Sequence, residues 1–286
     1  MRKHPSPARR RTGAITLLSA LVFTSVGVSP AAAHRPAPLE YVALGDSYAS
    51  GFGAGSYEPC GQSPFGLPGL LDSKKQVELV GNATCAGAFI FINEADPSID
   101  LPQQIQILQG KQVLDGDTDL VTVSAGGNDA GFGDFARNCV GTSDEICAQF
   151  VAGRIAALPA LGLSLDTLYK QIDQAAPKAT VVVTGYPHLF SPEFGAPLPI
   201  SPDAQRLINA ATDILNGVIK ASAKANGFVY VDIAKKFDGH GLGSPDSWIK
   251  LSSPAQFDDL HPTAEGYKSG YFPAVRSSVN FAQLQK

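Results

Sequence analysis

The sequence predicts an α/β protein, a three-layer α/β/α sandwich built on a parallel sheet, and three observations predict it. Short β-branched or apolar runs recur between longer stretches of helical spacing, the rhythm of strands covered on both faces. The apolar residues of those longer stretches return every three or four positions, as one face of a helix does. Length is acceptable for one α/β domain with a large core, and no linker, internal repeat or low-complexity stretch divides the chain.

In chain order, the strands are read at residues 41–44, 77–80, 120–124, 180–184 and 228–233, five in number, for a parallel sheet of the flavodoxin-like kind. Residues 164–176 read as a helix because Leu165, Leu168, Tyr169 and Ile172 share a face that can pack on the sheet. Between the last two strands, residues 202–225 put Leu207, Ile208, Ala211, Ile214, Leu215 and Val218 on one face, and Gly227 ends that helix. In open parallel sheets ligands bind just beyond the carboxyl ends of the strands, so the segments that follow each strand matter most. Gly45-Asp46-Ser47 follows the first, Cys85-Ala86-Gly87 lies after the second, and Gly126-Gly127-Asn128-Asp129 follows the third. Near the C-terminus Asp258-Asp259-Leu260-His261 precedes Pro262, a residue suited to the first turn of a closing helix.

The N-terminus carries an export signature. Arg2, Lys3, Arg9, Arg10 and Arg11 precede an uncharged run over residues 14–28, and Ala31-Ala32-Ala33 supplies a small-residue cleavage site. Residues 1–33 are therefore expected to be a signal peptide for the general secretory route, and residues 34–286 a secreted, extracellular domain. The run holds Ser, Thr and Gly and is short for a bilayer span, so no stable membrane anchor is expected. Residues 1–33 contain five Lys or Arg and no Asp or Glu, which leaves 17 basic against 26 acidic residues, a net charge of -9. That balance argues against a nucleic-acid partner.

Cys60, Cys85, Cys139 and Cys147 are an even number in an oxidising compartment, so two disulfides are expected. Of the possible pairings, Cys60 with Cys85 and Cys139 with Cys147 are favoured, because sequence neighbours would each staple one long loop. The cysteines lack Cys-x-x-Cys spacing and nearby histidines, so no metal site is expected.

A serine becomes a nucleophile when a base can take its proton and a third group fixes the tautomer of that base. Asp258 and His261 can supply both, the carboxylate curling back to the imidazole Nδ1–H while Nε2 faces Ser47. Donors for a tetrahedral oxyanion are available from the Ser47 backbone, from Gly87, which has no side chain in the way, and from the Asn128 amide. These four segments, in this order, resemble the four blocks of the SGNH (GDSL-type) hydrolases, in particular the secreted actinobacterial lipase and esterase branch with its Gly-Asp-Ser-Tyr opening. The resemblance covers essentially the whole of residues 34–286. It implies Ser47 as nucleophile, Asp258 and His261 as its partners, and an oxyanion hole of Ser47, Gly87 and Asn128. It also implies hydrolysis of carboxylic esters through an acyl-enzyme, without a cofactor. Relatives often carry a third disulfide near residues 237–248; with no cysteine there, a looser loop is expected.

Several residues have a plainer reading beside the functional one. Gly-Asp-Ser alone is often a turn, Asp258 can cap a helix, and Asp259 is the rival for the Asp258 role. His188 and His240 read as structural or surface residues, and residues 51–55 as a loop beside Ser47 without nucleotide-binding spacing. No Gly-x-Ser-x-Gly elbow occurs, which argues against an α/β-hydrolase fold. Phe89 and Phe91, with Phe132 and Phe135, form a candidate acyl pocket or, equally, core filling. The expected function is thus a monomeric serine ester hydrolase acting on small-molecule or lipid esters. A carbohydrate-ester deacetylase and a catalytically silent binding protein are the alternatives.

Overall fold

Strands β1 (Leu39–Gly45), β2 (Val77–Asn82), β3 (Leu120–Ser124), β4 (Thr180–Thr184) and β5 (Val229–Val231) form one parallel sheet in the order β2-β1-β3-β4-β5. They belong to a computed structural model that describes Met1, His4 and residues 37–285 except Pro197. The predicted signal peptide lies outside the described residues but for Met1 and His4. Every residue of β3 is buried, as a central strand covered on both faces requires, and the hydroxyl of its Thr122 pairs with that of Tyr41 at 2.6 Å.

The helices are α1 (Ser47–Ser50), α2 (Leu67–Asp72), α3 (Leu101–Gly110), α4 (Phe135–Cys139), α5 (Asp144–Ala175), α6 (Pro202–Ala225), α7 (Phe272–Ser278) and α8 (Phe281–Leu284). Helix α5 packs on α3 and α6, while α2 packs on α7, and both sets touch the sheet. The result is the three-layer sandwich the sequence predicts. Helix α6 has the predicted bounds: Ser201 caps it by accepting the Ala204 N–H at 3.0 Å, Pro202 opens it, and Gly227 leaves it with φ +76°.

Helix α5 begins 20 residues before the predicted 164. Its first half is rich in alanine, good material for helix but poor in the apolar contrast that reveals a face. The start was legible elsewhere, in the Ser143 cap and the acidic pair Asp144-Glu145 of the first turn. Pro262 also departs from expectation. It lies in a bridge with Ile249, and the helical segment follows Thr263, whose Oγ1 accepts the Gly266 N–H at 3.2 Å. The chain then passes through a π-helical turn, Gly266–Tyr271, into α7.

Both predicted disulfides are present, Cys60–Cys85 and Cys139–Cys147. The first ties the loop after α1 to the segment after β2; the second joins α4 to α5. The loop over residues 237–248, expected to be looser, is closed by other means. His240 stacks on Trp248 with ring centroids 3.6 Å apart, and the Trp248 N–H donates to the His240 carbonyl at 2.8 Å.

Candidate active site

Strand β1 cannot continue past Gly45, whose φ of +132° belongs to glycine and whose Cβ, if it had one, would lie 2.3 Å from the Ser124 carbonyl oxygen. The chain turns there, and three strand ends are laced together. Asp46 N–H donates to Ser124 O, and Cys85 N–H to Gly45 O, each at 2.9 Å. The buried Gln104 amide then clamps Gly45 from both sides, accepting its N–H at 2.8 Å and donating to its carbonyl at 3.0 Å. Ser47 is thereby set at the start of α1, beyond the carboxyl edge of the sheet.

Asp46 is buried and caps α1 by accepting the Tyr48 N–H at 2.9 Å. Burial raises its carboxyl to about 7, against the opposing hydrogen bond from Tyr186. The Tyr186 hydroxyl accepts the Gly127 N–H at 2.8 Å while donating to Asp46, so one phenol spans the segments after β1 and β3. Gly127 has to be glycine, since a Cβ would meet the Tyr186 ring at 2.9 Å. Tyr186 and Gln104 are site residues without a sequence signal of their own beyond their place in the chain.

His261 Nε2 lies 2.8 Å from Ser47 Oγ, hydrogen-bond distance for proton transfer. The expected partner of Nδ1 requires correction: Nδ1 lies 2.9 Å from the backbone carbonyl oxygen of Asp259, and not on the Asp258 carboxylate. The reason is that Asp258 is already satisfied. Lys250 Nζ is 2.7 Å from both of its carboxylate oxygens, and the Tyr57 hydroxyl donates to Oδ2. Burial alone would raise the Asp258 carboxyl, but these two donors outweigh it and hold it below the usual carboxylate range. Burial pushes the His261 imidazole below its ordinary pKa, only partly opposed by the carbonyls of Asp259 and Asp258.

A cavity of about 230 Å³ opens over Ser47 and His261. Asn128 lines it and donates from Nδ2 to the Ala88 carbonyl at 2.8 Å, leaving an amide with a second N–H at its edge. Gly87 sits at φ +90° in the neighbouring turn and is not among the lining residues. The candidate acyl pocket also requires correction. Asp100 accepts the N–H groups of Phe89 and Asn93, and Asp129 accepts that of Ile90, which pins this segment with Ile90 buried and Phe91 53% exposed. Phe89 and Phe91 pack on each other, centroids 5.7 Å apart, and neither lines the cavity. The Phe132 side chain lies outside what is described, and Phe135 is buried in the core. The apolar walls are Tyr48, Leu189, Leu260 and Phe257, the last 75% exposed at the mouth.

Among the described residues no group of three or more His, Cys, Asp or Glu side chains could hold a metal ion. His188 pairs with Asp213 at 2.8 Å, away from the cavity walls. A serine bonded to a histidine at the carboxyl edge of a parallel sheet, with amide donors beside them, is the arrangement of a serine ester hydrolase.

The chain belongs to the GDSL-like lipase/acylhydrolase family, whose model matches residues 43–269. It is 34% identical over 283 residues to lipase 1 of Streptomyces coelicolor, spanning 94% of this chain and 100% of the relative. It is 33% identical over 278 residues to the lipase of Streptomyces rimosus, spanning 95% and 99%. The solved structure of that extracellular lipase superposes with a TM-score of 0.72 over 84% of this chain and 99% of the other. Phospholipase A1 of Streptomyces albidoflavus superposes equally well, with a TM-score of 0.72 at 35% identity over 84% and 98%. This protein is a carboxylic ester hydrolase.

Proposed function

We propose that Ser47 is the nucleophile, that His261 is its general base, and that the backbone carbonyl of Asp259 holds the imidazole in the required tautomer. The observation that carries this reading is the 2.8 Å approach of His261 Nε2 to Ser47 Oγ, with Nδ1 on a carbonyl oxygen that can only accept. Nδ1 therefore keeps its hydrogen and Nε2 is left free to take the serine proton. Attack of Ser47 Oγ on the ester carbon puts negative charge on the carbonyl oxygen, which the Ser47 and Gly87 N–H groups and the Asn128 amide receive. The imidazolium returns its proton to the departing alcohol, leaving an acyl-Ser47. Water, activated by the same imidazole, then releases the acid.

The apolar walls of the cavity favour an acyl chain over a sugar, and the lipase and phospholipase relatives point the same way. We assign the domain to residues 34–286, secreted after loss of residues 1–33, acting as a monomer without membrane anchor or nucleic-acid partner. Among the described residues, one helix is long and apolar enough to cross a membrane, α5. Its apolar stretch is 22% buried, with Cys147, Val151, Leu158 and Leu161 in the core, and the helix is tied to α4 by Cys139–Cys147 and packs on α6, which supports a helix of this domain. The test is a panel of acyl esters, phospholipids and acetylated sugars offered to residues 34–286, with Ser47→Ala as control. Medium- or long-chain esters should be cut with higher kcat/KM than acetates, each buried methylene contributing up to about 0.8 kcal/mol. A profile that favours acetylated sugars would overturn the acyl-lipid assignment.

A further inference from the structure

We infer that Tyr57 and Lys250 are positioning residues for the base: by holding the Asp258 carboxylate off the imidazole they fix the loop on which the Asp259 carbonyl meets His261 Nδ1. This rests on the reading of Ser47 and His261 given above. A carboxylate three residues before a half-buried imidazole would ordinarily pair with its Nδ1–H, so something stronger has to hold it elsewhere. Here both oxygens are taken. Lys250 Nζ lies 2.7 Å from Oδ1 and from Oδ2, the Tyr57 hydroxyl donates to Oδ2, and Asp258 is 2% exposed.

The same two residues reach the histidine loop by other routes. Leu260 has φ +65°, a left-handed conformation that a branched side chain rarely adopts, so its neighbours have to impose it. Leu260 N–H donates to the Lys250 carbonyl at 2.9 Å, Lys250 N–H donates to the His261 carbonyl at 2.8 Å, and the Tyr48 hydroxyl donates to the Leu260 carbonyl at 2.7 Å. Lys250 thus grips this loop by its amide, its carbonyl and its ammonium. Tyr57 accepts the Gly53 N–H at 2.9 Å, and a Cβ on Gly53 would stand 2.8 Å from His261 Cβ. The phenol therefore joins the glycine loop after Ser47 to the segment that carries the base.

An electrostatic consequence separates this role from simple scaffolding. The charged and titratable groups that face His261 are Ser47, Tyr48, Asp258 and Asp259, with Lys250 and Tyr57 behind Asp258. Lys250 cancels the Asp258 charge as the imidazole feels it. Removing either partner shifts the base in opposite directions. Lys250→Met leaves an uncompensated carboxylate free to turn toward Nδ1, which favours the imidazolium, so the acid limb of kcat/KM moves to higher pH. Asp258→Asn leaves the ammonium behind, disfavours the imidazolium, and moves the same limb to lower pH.

The experiment measures kcat/KM against pH on one short-chain ester for the parent, Asp258→Asn, Lys250→Met, Lys250→Arg and Tyr57→Phe, with fluorophosphonate labelling of each. The expected result is opposite limb shifts in Asp258→Asn and Lys250→Met, restoration by Lys250→Arg, and a smaller shift in Tyr57→Phe in the direction of Lys250→Met. The kcat of Asp258→Asn should fall well short of the roughly 10,000-fold loss that follows when the carboxylate itself orients the imidazole. A loss of that size in Asp258→Asn, with the limb of Lys250→Met unmoved, overturns the inference. Asp258→Asn is isosteric and Lys250→Arg keeps the charge, so the comparison survives should Lys250→Met fail to fold. Failure of the underlying reading has a different signature: a parent that is active but unlabelled at Ser47.

Discussion

As the proposed general base, His261 would set the pH dependence of catalysis, because only the neutral imidazole can take the Ser47 proton. Burial holds its pKa below the ordinary histidine value, so the folded protein resists charging it. As pH falls, kcat/KM should therefore decline with a midpoint below that of an exposed histidine in its ordinary range. A decline at or above that ordinary range, measured on a short-chain ester, would contradict the buried base. Stability follows with the same sign, since this contribution is lost as pH drops through the unfolded value and the chain gains a proton the fold disfavours. The proposed oxyanion role of Asn128 offers a second test, because a spare amide N–H would bind the oxygen best once that oxygen is charged. Asn128→Ala should lower kcat by roughly 100- to 1000-fold with KM nearly constant. Loss of its bond to the Ala88 carbonyl should cost only about 1 kcal/mol, a small drop in melting temperature. Ser47, Asn128 and His261 were legible because each falls in a motif block beyond the sheet edge. The orientation of Asp258 was not, because the same three-residue spacing serves either its carboxylate or the next carbonyl. The choice is made by Lys250 and Tyr57, and no pattern in the chain links Tyr57 to a residue 201 positions away.

At the scale of elements, the turn after β1 decides whether the site exists. A side chain on Gly45 would be strained by φ +132° and would collide with the Ser124 carbonyl at 2.3 Å, backbone that cannot give way without breaking the pairing of β1 with β3. Gly45→Ala should destabilise the fold by about 3 kcal/mol or more, at the upper end of the usual range for point substitutions. Gly217, exposed in the middle of α6 with open space where a Cβ would stand, should behave in the opposite way. Gly217→Ala should stabilise by roughly 0.5 to 1 kcal/mol, because alanine loses less backbone freedom in a helix. Urea midpoints at unchanged m-value check both; equal effects at the two positions would contradict the assigned geometry. The strands and α6 were legible because burial on two faces and on one face leave different periods in the sequence. The ends were not: β1 and β2 run further than their apolar runs, and β5, Val229–Val231, is shorter than predicted. The first half of α5 escaped because alanine forms helix without marking which side is buried.

For the whole molecule, four segments far apart in sequence close on one cavity, three of them because a parallel sheet delivers successive strand ends to the same edge. Part of that convergence was legible in the sequence: the blocks at residues 45–47, 126–129 and 258–261 reach the cavity, whereas Gly87 does not line it and residues 186–189 carried no motif. The walls were not legible: Leu189, Phe257 and Leu260 come from loops, where side-chain direction depends on tertiary contacts and no periodicity applies. The apolar run at residues 89–92 drew attention by composition, yet two buried or half-buried carboxylates, Asp100 and Asp129, fix its backbone away from the cavity. By the proposed assignment, this convergence makes one serine, Ser47, reactive among the many in the chain. Treating residues 34–286 with a fluorophosphonate and mapping the adduct by peptide mass spectrometry tests it directly. One adduct is expected, on Ser47, with stoichiometric loss of esterase activity and no labelling of Ser47→Ala; an adduct on another residue, or labelling that survives Ser47→Ala, would contradict it.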